Sequence, residues 1–181
     1  TLAISSAASD VYKRQLFNMP IVLNGTSGSI TGASIPVSSL GTHGILQIVS
    51  AEHSTQVSTS STSYVTTNLT VNITPSSTSN KILVMTSSPV HIVEEPGTDA
   101  QGYLSLERDS TSIATAIFGD HTGNANRADD WSQVSLLQLD APNTTSQIAY
   151  NVKIKSGNSG WTAEHCTNNF TATIVCMEVK A

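Results

Sequence analysis

The stretch GILQIVSAEHSTQVSTSSTSYVTTNLTVNITPSSTSNKILV, residues 44–84, decides the fold of this chain. Within it Leu69, Val71 and Ile73 alternate with polar residues, and this period of two is typical of a strand with one buried face. Apolar runs flank the segment, and Pro-Ser-Ser-Thr-Ser-Asn at 75–80 predicts a turn. The stretch therefore predicts consecutive antiparallel strands.

Beyond residue 84, short apolar or alternating runs recur, and clusters of Pro, Gly, Asn and Asp separate them. No twelve-residue window has convincing helical periodicity. About eight or nine strands, after some neighbouring segments merge, are predicted near residues 44–52, 62–65, 68–74, 80–93, 102–108, 111–118, 131–140, 146–155, 160–165 and 170–179. Many short strands at this spacing predict an all-β fold, an antiparallel two-sheet jelly-roll sandwich over residues 44–181.

Composition excludes several classes of partner. Charged residues make up 12% of the chain and apolar residues 38%, and the net charge is −5. A net negative charge disfavours nucleic acids and anionic membranes as partners. No run of residues is long and apolar enough for a membrane-spanning helix, so we expect no membrane insertion. The chain is therefore expected to be a β-rich domain with a polar, extracellular surface.

Residues 1–18 are expected to be a non-native leader. The segment Asp10–Gln15 reads as the translation of a common sequencing-library transposon end, which indicates an assembly artefact. A secretory signal is the alternative, but in such signals the charge precedes the apolar stretch, whereas Lys13 and Arg14 follow it here. Residues 19–43 predict an extended attachment arm or linker, because they cannot bury enough apolar surface to fold alone.

Two cysteines, Cys166 and Cys176, are too few to define a disulfide framework. Both lie in the predicted last hairpin, with its turn near Asn168 and Asn169. In such a hairpin they are roughly 15–20 Å apart, which is farther than a disulfide reaches. We therefore expect a buried Cys176 and an incidental Cys166, with a disulfide as the alternative.

Five motifs stand in a characteristic order along the chain. They are the opening block at 44–84, LERDS at 106–110, GDHTGNANR at 119–127, LDAPNTTSQIAYNV at 139–152 and TIVCMEV at 173–179. With these motifs the chain resembles the C-terminal module of tail-fibre and head-fibre proteins of environmental, marine-type bacteriophages. The segment between Gly157 and Thr171 is shorter than is usual in such modules, so receptor specificity does not transfer from them.

The resemblance implies a non-catalytic fibre-tip protein on the virion surface that binds a host-cell receptor, expected to be a glycan. It also implies a homotrimer, and the N-terminal arm is expected to attach to other fibre or capsid proteins. We expect Leu137, Leu139 and Tyr150 to form a threefold seam. Two other classes stay open: a structural capsid-decoration or fibre-cap protein, and a bacterial adhesin or lectin-like secreted domain.

The densest polar cluster lies at residues 119–131, and Trp161 is a second candidate for ligand contact. Charged side chains exchange hydrogen bonds with sugar hydroxyls, and a tryptophan ring offers a stacking face. The predicted ligand-binding residues are Asp120, His121, Arg127, Asp129, Asp130, Trp131 and Trp161. The alternative is structural: Asp120 accepts backbone hydrogen bonds, Arg127 pairs with a carboxylate, and both tryptophans pack in the core.

No pattern predicts catalysis, a metal site or a cofactor. The 119–131 loop lacks the regularly spaced oxygen ligands of a calcium site, and the five histidines have no metal-type spacing. Glu94 and Glu95 are adjacent loop residues that we expect to face solvent. No nucleophile elbow, phosphate-binding glycine loop or CxxC is present. The chain is therefore predicted not to be an enzyme.

Overall fold

The computed structural model describes residues 44–93, 100–119 and 129–181. Within these ranges the chain forms ten β-strands and one short 3-10 turn, Thr167–Asn169. The strands are β1 (Ile45–His53), β2 (Val57–Thr59), β3 (Val65–Ile73), β4 (Lys81–Val93), β5 (Gly102–Arg108), β6 (Thr111–Phe118), β7 (Asp129–Asp140), β8 (Ile148–Ser156), β9 (Thr162–His165) and β10 (Ala172–Val179).

The strands form two antiparallel sheets. In the first sheet β1 and β2 share one row and β10 and β9 share the next, followed by β4 and then β7 at the edge. The second sheet has the order β3-β8-β5-β6. Numbering the eight rows along the chain gives the orders 1-8-3-6 and 2-7-4-5, which is the nested pairing of a jelly roll. The predicted all-β jelly-roll sandwich is confirmed.

The core lies between the two sheets, as the alternation in the sequence predicts. In β3 Leu69, Val71 and Ile73 are buried, and the residues between them are exposed. In the first sheet Ile82 and Val84 of β4 are also fully buried and belong to the same core cluster. Burial of such side chains contributes on the order of 2 kcal/mol each, so the two inner faces hold the sandwich together.

Strand boundaries differ from the prediction mainly before β4. The segments predicted separately at 62–65 and 68–74 merge in β3, where a bulge interrupts the pairing with β8. Asn68 lies in this bulge with φ 64°, a left-handed conformation that asparagine adopts more easily than most residues. The three-residue strand β2 was not predicted, because its sequence lies within a Ser- and Thr-rich run without a clear period.

The predicted last hairpin is wrong. Strands β9 and β10 both pair with one edge of the 13-residue strand β4, so they run in the same direction. A loop that includes the 3-10 turn interrupts them, with Cys166, Asn168 and Asn169 in left-handed conformation. Both cysteines are free and buried, and Cys166 donates its thiol hydrogen to the His53 carbonyl at 3.2 Å. Burial raises the pKa of Cys176 to about 12.

Tyr150 faces the core and is fully buried, so its expected place in an exposed seam is wrong. Its hydroxyl donates to Asp140 Oδ2 at 2.6 Å, and Arg108 Nη1 lies 2.9 Å from both oxygens of that carboxylate. The Arg108–Asp140 pair thus joins the LERDS motif to the LDAPNTTSQIAYNV motif. Leu137 and Leu139 of the same expected seam are exposed, at 67% and 49%.

A second cluster joins the opening block to the end of the chain. Glu178 is fully buried, and its carboxylate accepts hydrogen bonds from Ser76 N and Oγ (both 2.7 Å), Asn80 Nδ2 (2.6 Å) and Gln47 Nε2 (2.6 Å). Burial alone would raise the pKa of Glu178, but these hydrogen bonds outweigh it and leave the pKa lowered. The turn at 75–80 is therefore fixed on β10.

The leader predicted at 1–18 and the arm predicted at 19–43 lie outside the described residues, as do Glu94 and Glu95. Among the residues that the structure does describe, no helix has the length and apolar character needed to cross a membrane.

Candidate ligand-binding site

The structure describes only part of the predicted ligand-binding set. Asp120, His121 and Arg127 lie outside the described residues. Asp129 and Asp130 are the first two residues of β7, where their backbones pair with the end of β4. The polar loop begins at Gly119, whose φ of +113° and contact with the Ala100 carbonyl leave no room for a side chain. Trp131 and Trp161 are both described.

Trp131 lies on the outer face of the first sheet, rather than in the core as the structural alternative proposed. Its side chain is 49% exposed. The indole stacks on the ring of His91, its direct partner across the β4–β7 pair, with ring centroids 4.2 Å apart and planes inclined by 21°. One face of the indole is thus covered by His91, and the side chain retains a large exposed apolar surface.

His91 is itself held in place by a carboxylate. Its Nδ1 lies 3.0 Å from Glu164 Oε2, and Glu164 also accepts hydrogen bonds from Thr167 Oγ1 (2.9 Å), Gln56 Nε2 (2.9 Å) and Ser58 Oγ (3.2 Å). Burial alone would raise the pKa of Glu164, but hydrogen bonds from His91, Thr167 and Ser58 outweigh it and leave the pKa lowered. The imidazole on which the Trp131 ring stacks is therefore held in one orientation by Glu164.

A groove of about 190 Å³ runs beside Trp131 on this face. The second aromatic ring that lines it is Phe170, which is 57% exposed and follows the 3-10 turn. Pro89, Val90, Ser132, Gln133 and Thr167 complete the lining, and among these five Gln133 has an exposed side chain. Aromatic rings beside an amide group match the two aspects of a sugar, its apolar ring face and its hydroxyls.

The loop between β9 and β10 positions Phe170. The Cys166 amide donates to the Pro89 carbonyl at 2.9 Å, and the Phe170 amide donates to Thr167 O at 3.1 Å. The Asn168 amide donates to Gln56 Oε1 at 3.2 Å, which ties the loop to the β1–β2 row. Sequence reasoning missed His91, Glu164 and Phe170 as parts of this site, because only the strand register brings them beside Trp131.

Trp161 has a different environment. It is partly buried and packs against the core, as the structural alternative for this residue predicts. Its backbone N–H donates to Asn158 O at 3.2 Å, and its ring lies against Gly157. Trp161 therefore supports the sandwich, and the exposed aromatic surface of the described site comes from Trp131 and Phe170.

A larger cavity of about 500 Å³ lies at the opposite end of the same sheet, against Leu46, Ser76, Glu178 and Lys180. The Glu178 carboxylate is already occupied by hydrogen bonds from the protein. In the described part of the chain no group of three or more His, Cys, Asp or Glu residues has a geometry that could hold a metal ion.

No protein-family model and no curated protein matches the chain. Among solved structures it is similar to dimeric latent PorU from Porphyromonas gingivalis, with a TM-score of 0.47 and 9% identity over 74% of this chain. It is also similar to the VP2 subviral particle of infectious bursal disease virus (TM-score 0.34, 18% identity, 75% covered) and to the Gx strain of that virus (0.34, 15%, 75%). The chain spans 13%, 38% and 37% of those chains, and at such low scores the likeness carries no functional argument.

Proposed function

We propose that this chain is a non-catalytic attachment module of a bacteriophage fibre, located at the virion surface, which binds a host-cell carbohydrate. Sugar stacks on the exposed part of Trp131, and Phe170 forms a second contact across the groove. The exposed amide of Gln133 exchanges hydrogen bonds with the sugar hydroxyls. The motif order, which resembles that of phage fibre proteins, supports this class.

The single observation that carries the proposal is the half-exposed Trp131 ring on its His91–Glu164 support. An exposed tryptophan ring offers a large apolar face with one polar edge, which suits stacking on a sugar ring. A ring that is already held in position also loses little conformational entropy when a ligand binds. Asp120, His121, Arg127, Asp129 and Asp130 stay predictions from the sequence as further contacts of the same site.

The same proposal includes the partners that the resemblance implies. The chain associates as a homotrimer, and its N-terminal arm attaches to other fibre or capsid proteins. A structural cap or capsid-decoration protein is the second candidate function, favoured by the exposed Leu137 and Leu139, which suit assembly rather than sugar binding. The two candidate functions differ in their dependence on Trp131: sugar binding requires its ring, whereas a structural role does not.

A glycan array probed with the labelled full chain tests this function. We expect binding to one or a few glycan types, lost on Trp131→Ala and partly retained on Trp131→Phe, because phenylalanine keeps a smaller stacking face. Phe170→Ala should weaken binding about tenfold or more, the loss expected from one aromatic contact. The matched control is Ile117→Ala, which truncates an exposed apolar side chain on the other sheet and should leave binding unchanged.

Two results would count against sugar binding. One is an array without signal for the folded wild-type chain, which favours the structural cap. The other is unchanged glycan binding by the Trp131→Ala variant, which would show that the glycan binds at a different place on the chain.

A further inference from the structure

The outer face of the first sheet changes character along its strands. At the end that carries Trp131, its next cross-strand partners are His91 of β4 and Glu164 of β9, and this end is polar and aromatic. Toward the opposite end the outward side chains become aliphatic. One row across the strands is formed by Leu137, Met85 and Val175, and the next row by Leu139, Leu83, Met177 and Ile48.

We name these seven side chains the apolar patch. Leu137, Leu139 and Ile48 at its two edges are 67%, 49% and 57% exposed, and the four central side chains are partly exposed. The patch spans the four adjacent strands β7, β4, β10 and β1, and it contains no charged residue. Sheet faces with this composition are normally covered, because leaving them in water forgoes the free energy of apolar burial.

We propose that the apolar patch is the surface through which copies of this chain associate. This inference rests on the association of copies in the proposed function and names the surface that mediates it. It is independent of sugar binding, which uses the opposite end of the sheet face. Interfaces between copies of one chain are more apolar than other interfaces and resemble a core cut in half. The aliphatic rows have that composition, and a second sheet face of the same kind packs on them at about 10 Å, as sheets do in a sandwich.

The charges that border the patch favour a second copy over a partner of one charge sign. Lys81 lies on β4 just beyond the Leu83 row, and Glu52 lies on β1 at the other end, beside Thr173. Both side chains are exposed. A border with both charge signs lets Lys81 of one copy lie near Glu52 of the next in an assembly of identical chains.

The area of the apolar patch sets the expected strength of association between copies. Four strands wide and about four residues long, it covers roughly 260 Å² of sheet surface. This is about a third of the roughly 800 Å² that each partner contributes to a standard interface. The patch is therefore the apolar centre of a contact whose rim includes the neighbouring polar row of Ser87 and Ser135, and association is expected to depend on protein concentration.

Light scattering and analytical ultracentrifugation of the full chain over a range of concentrations test this inference. With rising concentration the wild-type chain is expected to reach the mass of three subunits, and Leu137→Glu is expected to weaken association about tenfold or more. Ile117→Glu is the matched control, because Ile117 is 58% exposed on a strand of the other sheet. Leu139→Glu serves as the second variant if Leu137→Glu does not fold, as judged by circular dichroism.

The outcomes separate this inference from sugar binding. An oligomer that Leu137→Glu or Leu139→Glu dissociates and Ile117→Glu leaves intact supports the patch. A monomeric wild-type chain overturns it, as does an oligomer that both patch variants leave unchanged or that Ile117→Glu disrupts equally. Sugar binding by the Leu137→Glu chain is measured separately: dissociated chains are expected to bind with lower avidity, whereas a loss caused by Trp131→Ala bears on the Trp131 site.

Discussion

At the scale of single residues, two buried carboxylates connect distant parts of the sequence. Glu178 joins the C-terminal strand to the 75–80 turn, and Asp140 joins Arg108 to Tyr150. Each carboxylate is buried with several hydrogen-bond donors around it, which is the condition under which a buried charge is tolerated. The motifs that suggested a fibre module therefore contain the residues that close the sandwich.

Replacing Glu178 by alanine should destabilise the fold strongly. The donors of Ser76, Asn80 and Gln47 would lose their acceptor, and hydrogen bonds to a charged group are worth about 1.5–3 kcal/mol each at most, with incomplete additivity. We expect a loss of about 3–5 kcal/mol in the free energy of unfolding, measured by urea denaturation. Glu52→Ala, at an exposed position of β1, should change it by less than about 0.5 kcal/mol. Equal losses in the two variants would contradict the assigned role of Glu178.

At the scale of secondary-structure elements, the long strand β4 organises the first sheet. One of its edges pairs with β7 along 12 residues, and its other edge holds β10 and β9 one after the other. The loop between β9 and β10 must therefore leave the sheet and return to the same row. Three consecutive or near-consecutive left-handed residues, Cys166, Asn168 and Asn169, make this possible and bring Phe170 to the groove.

Asn168→Val tests this account of the loop. A β-branched residue is strained at the Asn168 φ of 52°, so we expect a loss of about 1–2 kcal/mol in unfolding free energy and weaker glycan binding through displacement of Phe170. Asn168→Gly should be neutral or slightly stabilising, because glycine adopts this conformation without strain. Asn72→Val is the control, since Asn72 is exposed within strand β3 and β-branched residues suit strands. A loss in Asn72→Val as large as that in Asn168→Val would refute the backbone explanation.

At the scale of the whole molecule, the sandwich has two distinct ends on one sheet face. The aromatic groove occupies one end, and the apolar patch occupies the other. Association through the patch leaves Trp131 and Phe170 accessible, so binding and assembly do not compete for the same surface. Several copies held together in this way present several grooves, and multivalent binding then raises the avidity for a cell surface.

Stability of the whole fold should fall in mild acid because of His165. Burial, with a smaller contribution from His53, lowers the pKa of His165 to about 4. In the unfolded chain the histidine has its ordinary pKa near 6.5, so the unfolded state binds the proton first as the pH falls. Stability is therefore full above about pH 6.5 and declines toward pH 4, by about 3 kcal/mol in total from this residue.

Urea denaturation at pH 8, 6, 5 and 4 measures this decline. In His165→Gln the decline between pH 6.5 and 4 should be smaller, whereas the stability at pH 8 serves as the internal reference for any packing change. The lowered pKa values of Glu164 and Glu178 add their own losses only when the pH falls below the ordinary range of a glutamate. An identical slope in wild type and His165→Gln above pH 5 would show that His165 does not titrate as inferred.

The sequence by itself determined the class of fold and most of the strands. Alternation in β3 and β8 and the Pro-, Gly- and Asn-rich turns are local signals, because side-chain direction along a strand has a period of two. The exposed positions of Leu137 and Leu139 were likewise predictable from the alternation in β7. These features depend only on near neighbours in the chain.

Only the tertiary structure decided how the strands share edges and what surrounds Trp131. That β9 and β10 occupy one edge of β4 depends on pairings between residues 69–98 positions apart, for which a single sequence has no local signal. The same register places His91 under Trp131 and Glu164 beside His91, and the β9–β10 loop brings Phe170 to the groove. The site is a property of the sheet, whereas the strands that build it are readable from the sequence.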